Sequence, residues 1–242
     1  MIRNLLVVAC LVCLTAAPSL AGGVNLYWSD CGLGPGATLQ TFNCASNTGA
    51  PLDMVVSVIP PAPLANFAAA EFRVFSLVQS ATLPPWWQVA IGQCREGAIA
   101  ASFDASAFPS LSCLDAWGGA TPSGATTITQ DVAHSAWRLT GNAAIASPVD
   151  ITPEMVDNDE LVVGFVRVYR AHSTGVDACA GCLNGACFAL ESVTLTDNSN
   201  MNSYTLSTPA TNAWIYYNAG SPSLCFVPNV NRTWGAIKSL YH

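Results

Sequence analysis

The chain has 242 residues, of which 51% are hydrophobic and only 10% are charged, and its formal net charge at pH 7 is −7. This acidic balance excludes a nucleic-acid-binding protein, because phosphate contacts need clustered Lys and Arg. It also argues against electrostatic binding to anionic lipid. The length allows one large domain or two small ones.

Residues 1–21 have the pattern of a secretory signal peptide. One basic residue, Arg3, precedes an apolar run over residues 5–17, and small residues lie three before and directly before a cut after Ala21. The run is shorter than the roughly 20 residues that span a bilayer. The sequence therefore predicts a secreted protein, periplasmic or extracellular, with no membrane insertion after signal cleavage. Without Arg3, seven basic and fifteen acidic residues give a net charge of −8.

Eight cysteines follow the cut, an even number that indicates structural disulfides in an exported protein. They are Cys31, Cys44, Cys94, Cys113, Cys179, Cys182, Cys187 and Cys225. Because loop closure favours near neighbours, we expect the pairs Cys31–Cys44 and Cys94–Cys113, with the last four pairing among themselves. The Cys179-x-x-Cys182 spacing also fits a redox pair or half of a zinc site, but its β-rich surroundings favour disulfides.

Alternating and β-branched segments predict many short strands along the mature chain. They cover residues 24–28, 38–43, 53–59, 69–79, 86–91, 98–103, one or two stretches within 127–141, 161–169, 187–195, 203–207 and 213–217. Short helices are expected near residues 110–117 and 233–241. This pattern predicts an all-β, disulfide-stapled β-sandwich of jelly-roll type in a single domain, residues 22–242. Two immunoglobulin-like domains are the alternative.

Residues 161–195 are predicted to form a central hairpin, two buried strands joined by a cysteine-rich connection. If Val162, Val166 and Val168 face the core, Phe165, Arg167 and Tyr169 share the opposite face. We then expect Arg167 to pair with Glu191 on the neighbouring strand.

Several motifs resemble a group of uncharacterised exported proteins from environmental bacteria. They are Val24-Asn25-Leu26 followed by Trp28, Asp30, Cys31 and Gly32; Leu83-Pro84 before Trp86-Trp87; Cys94-Arg95; Cys179 with Gly181-Cys182; and the ending Asn231-Arg232-Thr233-Trp234-Gly235 with Ile237-Lys238-Ser239-Leu240-Tyr241. The resemblance implies a shared fold and a bacterial origin. It implies no activity and assigns no functional residue.

Exposed aromatic residues are the candidate ligand contacts. In a strand over residues 86–91, alternation directs Trp87, Val89 and Ile91 inward and leaves Trp86 outside beside Gln88. Trp117 in a glycine-rich loop and Tyr27 on the polar face of the first strand complete the predicted ligand-binding set. The remaining tryptophans are predicted to anchor the core or the terminal helix: Trp28, Trp87, Trp137, Trp214 and Trp234.

An acidic loop near residues 150–160 is the candidate metal site. Its carboxylates are Asp150, Glu154, Asp157, Asp159 and Glu160. Calcium takes six to eight oxygen ligands from such loops, so Ca²⁺ is the cofactor the sequence allows for, although a solvated acidic loop is the favoured explanation of these residues.

Three functional classes compete. A non-catalytic binding module, most plausibly for carbohydrate, would use an exposed aromatic row. A structural or adhesive surface protein, with another surface protein as its partner, would use a long unpaired edge strand. A secreted hydrolase would need close carboxylates in a cleft; no histidine lies in a catalytic motif, and we expect no enzyme.

Overall fold

The computed structural model describes residues 22–108, 110–157 and 159–218. Regular structure in these residues is β, apart from 3₁₀ turns at Pro85–Trp87, Ala105–Ala107 and Pro153–Met155. The strands are β1 Gly23–Trp28, β2 Leu39–Gln40, β3 Leu52–Ile59, β4 Leu64–Val78, β5 Ile99–Ser102, β6 Leu114–Asp115, β7 Ser123–Asp131, β8 Ala136–Ile151, β9 Leu161–Val168, β10 Ala186–Asp197, β11 Ser203–Leu206 and β12 Trp214–Tyr217. None of the described residues forms a helix with the length and apolar character needed to cross a membrane.

The strands form two sheets that pack against each other. The five-stranded sheet has the order β1-β3-β9-β5, with β6 also paired to β9. The seven-stranded sheet has the order β2-β12-β10-β4-β8-β7, with β11 also paired to β10. One large cluster of buried side chains draws on both sheets, and within it Trp28 of β1 meets Phe188 of β10 edge-on at 5.7 Å. This arrangement confirms the predicted disulfide-stapled β-sandwich.

The predicted central hairpin is wrong. Strand β9 lies in the five-stranded sheet and β10 in the seven-stranded sheet, so residues 169–185, here called the cysteine loop, cross from one layer to the other. The predicted pair of Arg167 and Glu191 is therefore wrong too. Arg167 lies 3.1 Å from Asp53 on β3, and Glu191 contacts Arg138 on β8 at 2.7 Å.

The side chains of β9 do not all face as predicted, because the β3–β9 ladder contains a register shift. The shift falls between Val56 and Ser57. As a result Val166 and Val168 face the main core as predicted, whereas Val162 joins Phe165 in a separate cluster. A bulge adds a residue to one strand and so moves the following side chains to the other face.

Loop residues cover the outer face of the five-stranded sheet. The cluster of Cys31, Val55, Val162 and Phe165 packs under residues 105–113, where Phe108 stacks on Phe165 with ring centroids 4.0 Å apart. This segment contains the 3₁₀ turn Ala105–Ala107 and is followed by β6, so the short helix expected near residues 110–117 is absent. The outer face of the seven-stranded sheet has no comparable second cluster among the described residues.

The disulfides differ from the predicted pairs. The structure contains Cys31–Cys113, Cys44–Cys182 and Cys94–Cys179. The predicted pairs Cys31–Cys44 and Cys94–Cys113 are therefore wrong, and so is the prediction that the last four cysteines pair among themselves. The entropic cost of closing a loop rises by only about 0.6 kcal/mol for each doubling of its length. The positions of the strands therefore decide which cysteines pair. Cys187 is disulfide-bonded as well. Cys225, the predicted signal peptide and the predicted helix over residues 233–241 lie outside the described residues.

Candidate functional site

Trp86 is buried, which corrects the prediction that it faces solvent. Pro85–Trp87 is a 3₁₀ turn rather than a strand, so alternation does not apply, and both tryptophans are fully buried while Ile91 is 90% exposed. The indole N–H of Trp86 donates to Ser173 Oγ at 3.2 Å, and its backbone N–H donates to the Ala180 carbonyl at 2.9 Å. Both acceptors belong to the cysteine loop, which therefore covers Trp86.

A buried cation locks Trp86 in place. The guanidinium carbon of Arg95 lies 3.6 Å from the centre of the Trp86 ring. Its N–H groups donate to the backbone carbonyls of Trp86 (2.8 Å), Ala171 (2.9 Å) and Tyr169. Burial lowers the pKa of Arg95 to about 10, well above neutral pH, so the side chain stays charged. This cluster joins residues 86–95 to the cysteine loop and is a structural feature, since each of the three guanidinium nitrogens of Arg95 donates to a backbone carbonyl.

The other predicted ligand residues are also used internally. Trp117 is buried and donates to the Val163 carbonyl at 3.2 Å. Gln88 is half-buried and donates to the Leu83 carbonyl at 2.7 Å. The Tyr27 hydroxyl lies 3.2 Å from Thr211 Oγ1. The structure therefore does not bring Trp86, Gln88, Trp117 and Tyr27 together on one surface.

The predicted metal site is not assembled. Glu160 is buried and accepts four hydrogen bonds, from the Asn25 amide, the Ser57 hydroxyl and the backbone N–H groups of Gly32 and Leu33. Its carboxylate thus holds the turn after β1 and points away from the acidic loop. Asp150 accepts a bond from the backbone N–H of Asn66. Within residues 22–108, 110–157 and 159–218, no three acidic, His or Cys side chains form a group suited to a metal ion.

The outer face of the seven-stranded sheet has the features of a binding surface. Direct cross-strand partners share a face of a sheet, and the register aligns Trp214 of β12, Ala189 of β10, Phe75 of β4 and Arg138 of β8 in one row. Trp214 is 48% exposed, and Ala189 beside it is small. The indole is therefore accessible on the outer face of β12. A neighbouring row places Tyr216, Cys187 and Leu77 side by side.

An ion pair ends the aromatic row. Arg138 Nε and Nη2 donate to the two carboxylate oxygens of Glu191 at 2.7 and 2.9 Å, and this bonding raises the pKa of Arg138. Glu191 lies at a register shift in β10, and the bulge directs its carboxylate across β4 to β8. The Arg138 guanidinium lies 5.8 Å from the Phe75 ring centre. The row thus combines the exposed Trp214 indole with the Arg138–Glu191 pair, whose two planar side-chain groups hold each other in place and whose charges cancel.

A shallow groove of about 310 Å³ lies further along the same face. One cross-strand row, Thr196, Ala69, Ala144 and Ser123, lines it. Glu71 and Asn142 add polar groups at its side. The β4–β8 ladder is irregular between Phe67 and Ala69, which bends the sheet there. The groove is about 20 Å from Phe75, six residues along β4.

Sequence reasoning missed Trp214, which was predicted to lie in the core. Alternation already separates Trp214 and Tyr216 from Ile215 and Tyr217, and the structure confirms that split, with Ile215 and Tyr217 fully buried. Which pair faces solvent depends on the position of β12 in the sheet, and the sequence pattern alone does not contain that information. The other predicted core tryptophans, Trp28, Trp87 and Trp137, are buried, and Trp234 lies outside the described residues.

The chain is thus a disulfide-stapled β-sandwich with one covered face and one open, partly aromatic face. No family model matches it, and no curated protein matches it. Among solved structures, the second type II cohesin module from the cellulosomal adaptor ScaA scaffoldin of Acetivibrio cellulolyticus aligns over 83% of this chain and 98% of its own, with 9% identity and a TM-score of 0.35. A structure of manganese lipoxygenase of Gaeumannomyces graminis and part of zonadhesin of Komagataella pastoris aligns over 81% of this chain and 57% of its own, with 14% identity and a TM-score of 0.21. Both TM-scores are low, and neither protein bears on the function of this surface.

Proposed function

We propose that the protein is an exported, non-catalytic binding module that binds a neutral carbohydrate on the outer face of the seven-stranded sheet. The observation that carries this proposal is the half-exposed Trp214 on the outer face of β12, in one row with the Arg138–Glu191 pair. A large indole at this exposure on a rigid surface is uncommon unless a ligand or partner uses it.

The chemistry of the row suits a sugar. The apolar face of a sugar ring can stack on the Trp214 indole, and the hydroxyls can bond to the guanidinium and carboxylate of Arg138 and Glu191. Trp214 and Arg138 are three strands apart, about 14 Å, which leaves room for a short oligosaccharide over Ala189 and Phe75. Since the polar groups are already fixed by each other, little side-chain entropy is lost on binding.

The charge and the disulfides support the same conclusion. The ion pairs Arg138–Glu191 and Arg73–Glu71 leave the outer face close to neutral, and the acidic chain as a whole disfavours a polyanionic ligand. Disulfides form and persist in oxidising compartments, so the three described bridges fit a periplasmic or extracellular location, where a polysaccharide is accessible.

The first prediction tests Trp214. The mature protein is screened against a panel of soluble neutral polysaccharides by glycan array and affinity electrophoresis, and positives are measured by calorimetry. We expect Trp214→Ala to weaken binding at least about tenfold, a loss of about 1.4 kcal/mol or more. The free energy of unfolding should fall by only about 1–2 kcal/mol, because half of the side chain is in solvent.

The matched control is Tyr169→Ala, since Tyr169 is 41% exposed but directly follows β9, a strand of the other sheet. This variant should bind the glycan as the wild type does. Wild-type protein that binds none of the polysaccharides, or a Trp214→Ala variant that retains full affinity, would overturn the proposal.

A structural or adhesive role is the second candidate. The observation that favours it is strand β7, a nine-residue strand at the edge of the seven-stranded sheet. Long unpaired edges are templates for pairing with another chain.

A further inference from the structure

Three of the sandwich's edges are protected by the chain itself. The edge of β1 is covered by residues 208–212, which exchange backbone hydrogen bonds with Val24 and accept one from Leu26, each at 2.9 Å. The edge of β5 is capped by the Thr126 hydroxyl, which accepts a bond from the Ala101 N–H at 2.8 Å. On the far side of the seven-stranded sheet, β2 and β11 have only two and four residues. Such short or covered edges resist pairing with other chains.

Strand β7 is different. It pairs with β8 through a continuous nine-residue register without a bulge. Among the described residues, its backbone takes part in no hydrogen bond outside that ladder. Because a strand can pair in two directions, half of the N–H and C=O groups of β7 face away from β8, and no described residue bonds to them.

The composition of β7 also lacks the usual protection against pairing. Its sequence is Ser-Gly-Ala-Thr-Thr-Ile-Thr-Gln-Asp. The first eight residues carry no charge, and the strand contains no Lys and no Pro, the residues that natural edges use to prevent association. Its three Thr and one Ile favour the extended conformation. It is also longer than the mean strand of about five to six residues.

We propose that β7 pairs antiparallel with β7 of a second copy of this chain about a two-fold axis, joining two seven-stranded sheets into one. A register centred on Thr127 places Thr127 opposite its own copy and Ala125 opposite Thr129. Asp131 then lies opposite Ser123, so no like charges meet across the axis. Thr–Thr pairs across antiparallel strands are favourable. The single charged residue of β7, Asp131, lies opposite the neutral Ser123 in this register, so a second copy can dock along the strand without a like-charge contact.

The proposed dimer has a functional consequence. In antiparallel pairing, residues directly opposite each other lie on the same face of the sheet. The outer faces of the two copies, each with its own Trp214, therefore point in the same direction on one continuous sheet. Any polymer bound by this face would meet two sites, and bivalent attachment raises the apparent affinity. The dimer itself does not depend on whether the ligand is a carbohydrate.

The test is sedimentation velocity of the mature protein over a concentration series up to about 100 µM. We expect the wild type to dimerise reversibly and Thr127→Lys to raise the dimer dissociation constant at least about tenfold, because the two lysines would lie one strand spacing, about 5 Å, apart. Thr140→Lys is the matched control. Thr140 pairs with Thr127 on the same face, but the two copies of residue 140 would be about 14 Å apart, beyond the screening length of about 8 Å at physiological salt.

A second variant fixes the register independently of association strength. Thr127→Cys should form an intermolecular disulfide on mild oxidation, because opposed Cα atoms in antiparallel strands lie about 4.5–5.5 Å apart, within disulfide reach. Thr140→Cys should remain monomeric on a non-reducing gel. A wild type that stays monomeric throughout the series and a Thr127→Cys variant that does not cross-link would overturn the proposal. So would a dimer whose dissociation constant Thr127→Lys leaves unchanged.

Discussion

Asp30 is a buried carboxylate that ties two loops together. Its Oδ1 accepts bonds from the backbone N–H groups of Cys31 and Ser112, both at 2.8 Å, and its Oδ2 accepts one from the Ser112 hydroxyl at 2.7 Å. Burial acts to raise the pKa of Asp30, but these hydrogen bonds outweigh it, so the pKa lies below its usual 3.8. The contact lies beside Cys31–Cys113 and holds the cover of the five-stranded sheet.

This lowered pKa predicts part of the acid sensitivity of the fold. Below about pH 4 the unfolded state binds more protons at Asp30 than the folded state does, so stability is lost as the pH falls towards the folded pKa. We expect Asp30→Asn to have a lower Tm than the wild type at neutral pH but to lose less Tm between about pH 5 and pH 2. Calorimetry across this range measures both effects.

Ser112→Ala is the companion variant for this prediction. It removes one donor to Asp30 and leaves the carboxylate in place, so its acid dependence should lie between those of the wild type and Asp30→Asn. If the Tm profiles of the wild type and Asp30→Asn run parallel below about pH 5, Asp30 does not contribute to acid unfolding.

The tryptophans show what single-residue reasoning can and cannot give. Trp28 was correctly assigned to the core, whereas the same assignment was wrong for Trp214, which is 48% exposed. Alternation failed at Trp86, because the preceding prolines start a 3₁₀ turn in which adjacent side chains can both be buried. The position of Arg95 over that ring depends on the folding of the cysteine loop, and no local pattern in the sequence indicates it.

At the scale of elements, glycines let the two sheets approach closely around Phe72. A Cβ added at Gly141 on β8 would lie 2.6 Å from Phe72 Cζ and 2.8 Å from the Ala101 Cβ on the other sheet. A Cβ at Gly164 on β9 would lie 2.7 Å from the same phenyl ring. Glycine inside a strand commonly marks such a close approach.

We therefore predict that Gly141→Val destabilises the fold by about 1–3 kcal/mol, the usual cost of overpacking a core. Thr140→Val, the neighbouring position on the outer face, should change the free energy of unfolding by less than about 0.5 kcal/mol. Urea unfolding followed by tryptophan fluorescence gives both values. Equal stabilities for the two variants would show that the sheets can separate locally without cost.

The strands were largely predictable, and their partners were not. Sequence patterns located β1, β3 and β9 to within one residue at each end, and β4 to within five. Strand β2 has only two residues, Leu39–Gln40, of the six expected. A 17-residue connection such as the cysteine loop is long enough to form either a hairpin within one sheet or a crossing between two. The bulges that place Glu191 on the outer face depend on cross-strand register, which a single strand's sequence does not specify.

At the scale of the whole molecule, the outer face of one sheet is covered by a loop and the outer face of the other is open. Residues 105–113, fixed by Cys31–Cys113 and Asp30, cover the five-stranded sheet with a second apolar cluster. The seven-stranded sheet instead presents Trp214, two ion pairs and a groove. The two layers therefore have separate roles, one providing a closed support and the other an accessible surface. The cysteine loop, bridged to Cys44 and Cys94, holds the layers together at one end.

The disulfides give the last prediction, because they join distant parts of the chain. The bridges Cys31–Cys113, Cys44–Cys182 and Cys94–Cys179 span sequence separations of 82, 138 and 85 residues. In the chain-entropy model, a loop of such length stabilises the fold by about 4–5 kcal/mol. Reduction should therefore unfold the protein or lower its Tm sharply. We expect thiol titration of the denatured, unreduced chain without residues 1–21 to find no free thiol, and the same chain after reduction to show all eight of its cysteines. Non-reducing peptide mapping should recover the three bridges and leave Cys187 and Cys225 in a fourth linked pair. Two or more reactive thiols per chain, or a peptide joining Cys31 to Cys44, would contradict this connectivity.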